Sequence, residues 1–295
     1  MGSLTVVSTP IGNLEDIGLR ALRVLREADA ICAEDTRVTR KLLSRYDIHT
    51  PLVSYHRHSL ARRTEEVLGM LRAGKSVALV SDAGTPGISD PGADLVRLAA
   101  AEGQTVTAVP GPSAVLAALG VSGLPTGRFA FDGYPPRARS DRTAFFAGLR
   151  GEARTVVLYE APLRVEATLR DLLEALGDRE VCIGRELTKV FEDVYRGTLT
   201  GALERVRQAR PRGEYTLVIA PPSACDAAAP PPPEEAVASA VRIRLQAGMS
   251  VADAAREVAA ELGVPRRRAY TAALTAARAG AAALEACAHA PPNSR

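Results

Sequence analysis

The sequence predicts two α/β domains, the first built on a doubly wound parallel sheet and the second on a mixed sheet, followed by a small C-terminal helical appendage. Three observations predict it. Five short apolar runs alternate with helical patterns between Leu4 and Leu119. A second alternation begins after a Gly/Pro-rich break at Gly120 to Gly127. Within it two strand patterns follow each other with no helix between, which a purely parallel sheet does not allow. The predicted limits are 1–122 and 123–222 for the two domains, 223–233 for a linker and 234–290 for the helical tail.

In chain order, Leu4 to Val7 reads as the first strand. A turn-rich loop, Thr9 to Asn13, follows, and Asp16 is placed to cap a helix carrying Leu19, Leu22 and Leu25. Ala30 to Ala33 is the second strand, and a basic helix then runs to about Tyr46. Leu52 to Tyr55 is the third strand, and its following helix ends at Gly74, a suitable left-handed terminator. Val77 to Val80 is the fourth. Asp90 and Pro91 have the residue types of a helix cap and first turn, ahead of Leu95, Leu98 and Ala99 at helical spacing. Val106 to Val109 is the fifth strand, leading through Pro110 to Ser113 into a helix from Ala114.

The second alternation has strands at Phe129–Phe131, Thr155–Tyr159, Val181–Gly184, Asp193–Leu199 and Tyr215–Ala220. Its helices are expected at Asp141–Leu149, Leu163–Leu176 and Leu203–Arg210. Residues 221–233 include six prolines, which reads as a semi-extended linker. Beyond it the pattern is helical. Ser250 caps one helix and Pro265 opens another with Arg266, Arg267 and Arg268 in its first turn, an arrangement like a helix-turn-helix. The last five residues, 291–295, read as disordered.

Composition bounds the class. The chain has 295 residues, 46% of them hydrophobic and 24% charged, with a formal charge of +3. No apolar run reaches the length of about 18 residues that a membrane helix needs, and no signal-peptide pattern opens the chain. A cytoplasmic protein is expected. Cys32, Cys182, Cys225 and Cys287 are far apart and form no C-x-x-C pair, so neither a metal site nor a disulfide framework is predicted.

Three loops follow strands in the first half: Thr9 to Asn13, Ser81 to Ser89 and Pro110 to Ser113. All are rich in Gly, Pro and small hydroxyls. A doubly wound sheet gathers such loops at one edge, where ligands bind. The middle loop exceeds the usual connection of about 2 to 6 residues. Its glycines admit a ligand to backbone N–H groups, and Asp82 can accept from a ligand hydroxyl or amine. Neither G-x-G-x-x-G nor G-x-x-x-x-G-K-[ST] occurs, which disfavours a dinucleotide fingerprint and a P-loop.

Residues 36–63 hold seven cations, among them Arg37, Arg40, Lys41 and Arg57, against one acid, Asp47. Arg37, Arg40 and Lys41 share one helix face. Such a run is often simply a solvated face, but cations without local acids favour a phosphate-backbone footprint, and these four are the predicted phosphate-contacting residues. Arg137, Arg139 and Arg142 form a second, weaker cluster. At strand ends, Asp35, Glu160, Glu186 and Lys189 are candidate acid/base or binding groups, structural ion pairs being the alternative.

STPIGNLEDI, EDTR, SDAGTPGISDPG, VPGPSA, YEAP and GRELTK stand in this order along the chain. With them the sequence resembles the tetrapyrrole methylase (class III methyltransferase) superfamily, and within it the branch acting on small-subunit ribosomal RNA. The match spans roughly Leu4 to Pro222. The resemblance implies S-adenosylmethionine in a cleft between two α/β domains, a homodimer, and no metal. It implies methyl transfer to the ribose 2′-OH of a cytidine in the decoding region of 16S rRNA, within the 30S subunit. Cofactor contacts carried over by motif are Pro10, Asp82, Gly84, Thr85, Ser113, Ala114, Tyr159 and Glu160. The resemblance assigns no proton acceptor; Asp35, Glu186 and Lys189 are taken as catalytic candidates from their places at strand ends. Methylation of a small tetrapyrrole, and non-catalytic binding of a nucleotide-like ligand, are the alternatives.

Overall fold

A computed structural model of the chain describes residues 2–56, 60–208, 212–223, 233–262 and 264–288. Contacts divide the chain into two compact units, residues 1–223 and 224–295.

The first unit holds both sheets. Its first sheet comprises β1 (Ser3–Val7), β2 (Ala30–Ala33), β3 (Leu52–Ser54), β4 (Ser76–Val80) and β5 (Thr105–Val109) in the order β3-β2-β4-β1-β5, every pair parallel. Helices α1 (Leu19–Glu27) and α2 (Thr36–Arg45) cover one face through Leu22, Leu25, Leu42 and Leu43, which pack on Val7, Ile31 and Ala78. Helices α3 (Leu60–Arg72) and α4 (Ala93–Ala101) cover the other through Val67, Leu71 and Leu95, on Leu4, Val77 and Leu79. Coverage of both faces explains why β2 and β4 read as unbroken apolar runs. The chain leaves β1 toward the β2 edge and β4 toward the β5 edge. Their adjacent carboxyl ends are therefore a topological switch point, where a crevice opens.

Helix α5 (Ala114–Ser122) belongs in sequence to the first half but packs on the second sheet. That sheet comprises β6 (Phe129–Phe131), β7 (Thr155–Glu160), β8 (Glu180–Arg185), β9 (Asp193–Thr198) and β10 (Tyr215–Ile219), ordered β6-β7-β10-β8-β9. Only β6 and β7 pair in parallel; β7–β10, β10–β8 and β8–β9 are antiparallel. The alternation of period two sorts the strands' side chains. Val156, Leu158, Val181, Ile183, Leu217 and Ile219 face the helices α6 (Arg139–Gly148), α7 (Val165–Leu176) and α8 (Leu199–Gln208). Val157, Cys182 and Val218 face Val115, Ala118 and Leu119 of α5.

Several local expectations are corrected. Asp16 caps no helix: it ends a short 3-10 turn, Leu14–Asp16, whose N-cap is Asn13, and α1 starts from Gly18 without a side-chain cap. Asp90 and Pro91 do not start α4 either. Ser89, Gly87 and Gly92 are at positive φ (63°, 82° and 136°), so the chain turns on as far as Gly92 before the helix begins. A Cβ at Gly92 would stand 3.0 Å from Leu79 Cδ2. The expected break at Gly120 falls inside α5, which runs to Ser122 and closes on Gly123 at φ 75°. Gly74 does terminate α3, with its N–H on Leu71 O and the Lys75 N–H on Met70 O.

The second unit has three helices among the described residues: α9 (Glu234–Gln246), α10 (Val251–Leu262) and α11 (Arg266–Ala288). Val237, Val241, Ala255, Val258, Ala269 and Ala273 make its core. Ser250 Oγ accepts the Asp253 N–H at 3.1 Å, capping α10 as expected. The linker's residues 224–232 and the terminal residues 289–295 lie outside the described residues. No described helix is long and apolar enough to cross a membrane. Cys32 and Cys182 are buried thiols, the first pushed up to about 12 by burial.

Candidate active site

The loops after β1 and β4 are joined by backbone. Thr9 N–H donates to Gly84 O at 2.9 Å and Gly84 N–H to Thr9 O at 3.0 Å. Gly84 holds φ 80°, a conformation that glycine alone adopts freely. Ser8 Oγ and Thr85 Oγ1 lie 2.9 Å apart, and Thr9 Oγ1 donates to Ser81 O. The third loop closes on the first: a Cβ at Gly111 would touch Ser8 Cβ at 3.0 Å. The three expected loops therefore meet at one rim.

The cleft they bound measures about 300 Å³, at the lower end of small-molecule sites. Ile11, Asp82, Gly84, Thr85, Ser113 and Ala114 line it from the first half of the unit, and Tyr134, Tyr159, Glu214, Tyr215 and Thr216 from the second. Four carboxylates line it (Glu34, Asp82, Asp90 and Glu214), with no Lys or Arg among the described lining residues. Ser113 caps α5, its Oγ accepting the Leu116 N–H, so the positive end of that helix faces the same space. The Tyr159 hydroxyl accepts the Val115 N–H, and burial pushes that phenol up to about 12. Tyr134 stands 5.5 Å from Tyr159, ring to ring, and burial raises its phenol too. A larger groove, about 1200 Å³, runs between α9 and α11, lined half by apolar residues such as Val237, Leu245 and Ala272 and half by polar or charged ones, Glu234, Arg242, Arg267 and Arg268 among them.

Of the residues carried over by motif, Asp82, Gly84, Thr85, Ser113, Ala114 and Tyr159 come together here. Pro10 is buried beside the cleft rather than on its wall. Glu160 is turned away: its carboxylate takes the Ala161 N–H and the Thr168 hydroxyl and lies 3.4 Å from Arg164 Nε, all on the α7 side. Asp35 caps α2 through the Arg37 N–H and grips the Arg37 guanidinium at 2.7 Å. Those hydrogen bonds hold its carboxyl down at about 2. Asp82 Oδ1 accepts the Asp35 N–H at 2.9 Å, tying the cleft to the start of α2. Desolvation nevertheless raises the Asp82 carboxyl above the usual range.

Glu186 and Lys189 sit on the β8–β9 loop behind Glu214. Lys189 Nζ lies 2.8 Å from Glu186 Oε1 and 3.1 Å from Glu214 Oε2. Partial burial opposes both charges, yet the mutual hydrogen bonds keep Lys189 above and Glu186 below their ordinary values. The loop presses on the first one: Asn13 N–H donates to Thr188 Oγ1, and a Cβ at Gly12 would collide with Lys189.

Arg37, Arg40 and Lys41 are exposed on α2, opposite the buried Thr39, Leu42 and Leu43. Arg37 is not without a local acid, since Asp35 lies just ahead of the segment. Arg57 lies outside the described residues. Arg142 is no surface cation at all: it is buried against Asp171.

Glu214 and Tyr134 escaped the sequence reading. Glu214 precedes a strand, where a parallel sheet presents nothing to a ligand. Because β10 runs antiparallel, its start lies beside the carboxyl ends of β7 and β8, Tyr215 pairing Glu160 and Arg185. Tyr134 follows β6, so its position after a strand was the available signal.

The sequence signature described as Tetrapyrrole (Corrin/Porphyrin) Methylases matches residues 3–203. The chain belongs to the tetrapyrrole methylase family. A second signature, RsmI C-terminal HTH domain, matches residues 231–277. Among curated relatives, ribosomal RNA small subunit methyltransferase I of Thermotoga maritima is 48% identical over 74% of this chain and 98% of its own. The protein of that name from Synechocystis sp. is 45% identical over 92% of this chain and 96% of its own. Solved structures share the fold. A cobalt precorrin-4 methyltransferase covers 74% of this chain and 94% of its own, with a TM-score of 0.57 at 19% identity. A diphthine synthase covers 75% and 90%, with a TM-score of 0.58 at 17% identity.

Tetrapyrrole methylases use S-adenosylmethionine. The cleft of this family member fits that molecule chemically. Its carboxylates suit a cationic ligand bearing ribose hydroxyls, and the α5 N-terminus suits a carboxylate. Asp82→Ala is expected to weaken cofactor binding about 10- to 100-fold, the scale of a hydrogen bond to a charged group, and RNA binding less. Calorimetry with each ligand separately checks this; equal losses would contradict the assignment.

Proposed function

We propose that the chain methylates the ribose 2′-OH of a cytidine in the decoding region of 16S rRNA, within the 30S subunit, as a cytoplasmic homodimer. The observation that carries this reading is the link between a cation-accepting cleft and a basic helix: Asp82, on the cleft wall, holds the first turn of α2. The names of the relatives supply the substrate class. The precorrin-type neighbours share only the fold at this identity, so a tetrapyrrole substrate has less support. We assign 1–122 and 123–222 as the two catalytic domains and 234–290 as an accessory helical domain.

Bound S-adenosylmethionine supplies an electrophilic methyl group. The rest of the chemistry falls to the protein. Asp82 accepts from donor hydroxyls, and Gly84, Thr85, Ser113 and Ala114 supply the backbone cradle. Tyr134 and Tyr159 wall the cleft against water. Alignment is the principal contribution, since well-oriented reactions reach effective molarities of about 10⁵ to 10⁸ M. Lys189 stays protonated, so its role is cationic: it stabilises the charge that develops on the 2′ oxygen as the hydroxyl proton leaves to solvent, while Glu186 and Glu214 hold the ammonium in place. Asp35, with its carboxyl near 2, is a weak proton acceptor. It serves instead to organise the start of α2. Arg37, Arg40, Lys41 and Arg57 contact phosphates.

The deciding experiment incubates purified protein with S-adenosylmethionine and 30S subunits and measures 2′-O-methylcytidine by nucleoside mass spectrometry. No such product would end this reading. Arg37→Ala with Arg40→Ala is expected to flatten the slope of log binding constant against log salt by about 2. An unchanged slope would move the RNA footprint elsewhere.

A further inference from the structure

We propose that Phe191 is a nucleobase-stacking residue, the element that holds the RNA strand open beside the cleft. This rests on the rRNA reading above and names a specific contact for it.

Val190 and Phe191 form the tip of the β8–β9 loop, 94% and 76% exposed. A large aromatic ring in water with no ring contact among the described residues needs a cause. Looseness is not that cause, because the loop is pinned on every side. Glu186 N–H donates to Glu214 O, Lys189 N–H to Glu186 O, and Glu192 N–H to Lys189 O. Glu192 Oε2 takes the Thr188 N–H at 2.5 Å, and Thr188 Oγ1 takes the Asn13 N–H. Glu186 and Thr188 are held at φ 51° and 66°, values unusual for side chains of their size. A rigid support therefore presents an aromatic ring.

Its place tells what it meets. Lys189, two residues before, is ion-paired to Glu214 on the cleft wall. A strand whose ribose reaches the cleft passes this tip. Nucleotides in folded RNA must be unstacked before their riboses can enter a pocket, and aromatic side chains are the usual partners of the freed bases. A protein partner fits less well, since two side chains fall far short of the about 800 Å² per partner of a stable interface.

The chain has no tryptophan, so Phe191→Trp introduces a single emitter at the tip. With 30S subunits its emission is expected to be quenched. Phe191→Ala is expected to lower kcat/KM for 30S subunits about 5- to 150-fold, the range for losing one stacked base. Phe191→Leu, which keeps apolar area but no π face, should be as poor as alanine. Cofactor affinity by calorimetry should not change in any of them. Unquenched emission, rescue by leucine, or loss of the dimer in Phe191→Ala by light scattering would overturn the proposal, the last two in favour of a protein contact. If the unaltered protein methylates 30S subunits normally, such results count against Phe191 alone and not against the rRNA reading.

Discussion

Lys189→Met is expected to lower kcat for methyl transfer about 10²- to 10³-fold while leaving cofactor affinity within a factor of two. That range is the cost of removing one preorganised charge stabiliser from a site where charge develops in the transition state. The ammonium sits between Glu186 and Glu214 and is held above its ordinary pKa. Because Glu186 is held below its own, the pair stays ionised across the neutral range and contributes no titration there. The loss should therefore be the same from about pH 6 to 9, as groups with these starting pKa values dictate. Lys189→Arg keeps the charge in a bulkier, planar form and is expected to recover part of the rate. Single-turnover kinetics with saturating cofactor check all three statements. A loss that appears only in KM would mean that Lys189 binds RNA, and one that grows steeply as pH rises would mean that it acts as a base.

Much of this site was legible because parallel sheets advertise themselves. Ala30–Ala33 and Val77–Val80 are buried on both faces, so their apolar runs are unbroken and mark where the carboxyl-end loops must be. Those loops carry glycines for a local reason visible in the letters: Gly84 must reach φ 80° to bridge Thr9. What stayed hidden depends on pairs distant in sequence. Nothing near Glu214 says that β10 is antiparallel, and only that direction brings its start to the cleft. Asp90 has the residue type of a helix cap, yet Gly92 at φ 136° carries the chain past it, and Asp90 lines the cleft instead. The acid that pairs with Arg37 was only two residues upstream, but pairing across a helix start depends on the cap geometry.

The hardest residue to read was Arg142, and it sets the largest expected change in stability. In the sequence it joins Arg137 and Arg139 in a basic cluster; in the fold its side chain is 9% exposed and that of Asp171 is 2%. Asp171 Oδ2 accepts from Arg142 Nε at 2.9 Å and from Nη2 at 2.6 Å, while Nη1 donates to Arg137 O at 3.0 Å. The pair thus fastens α6 to α7 on the outer face of the second sheet. Asp171→Ala strands a buried guanidinium and is expected to destabilise the catalytic unit by about 3 to 5 kcal/mol. That corresponds to a fall in Tm of roughly 6 to 20 °C for a unit of this size. Removing both charges is a different matter, because the desolvation cost disappears with them. Arg142→Met combined with Asp171→Leu is expected to melt within a few degrees of the unaltered protein, as replacement of buried pairs by apolar residues often does. Calorimetric melting of the three proteins separates a charge pair that is merely tolerated from one that contributes net stability. The salt slope of RNA binding for the double variant should match the unaltered protein, since a guanidinium committed to Asp171 neutralises no phosphate and so displaces no counterion. A flatter slope would return Arg142 to the RNA-binding surface and take the buried pair away as the reason for its place.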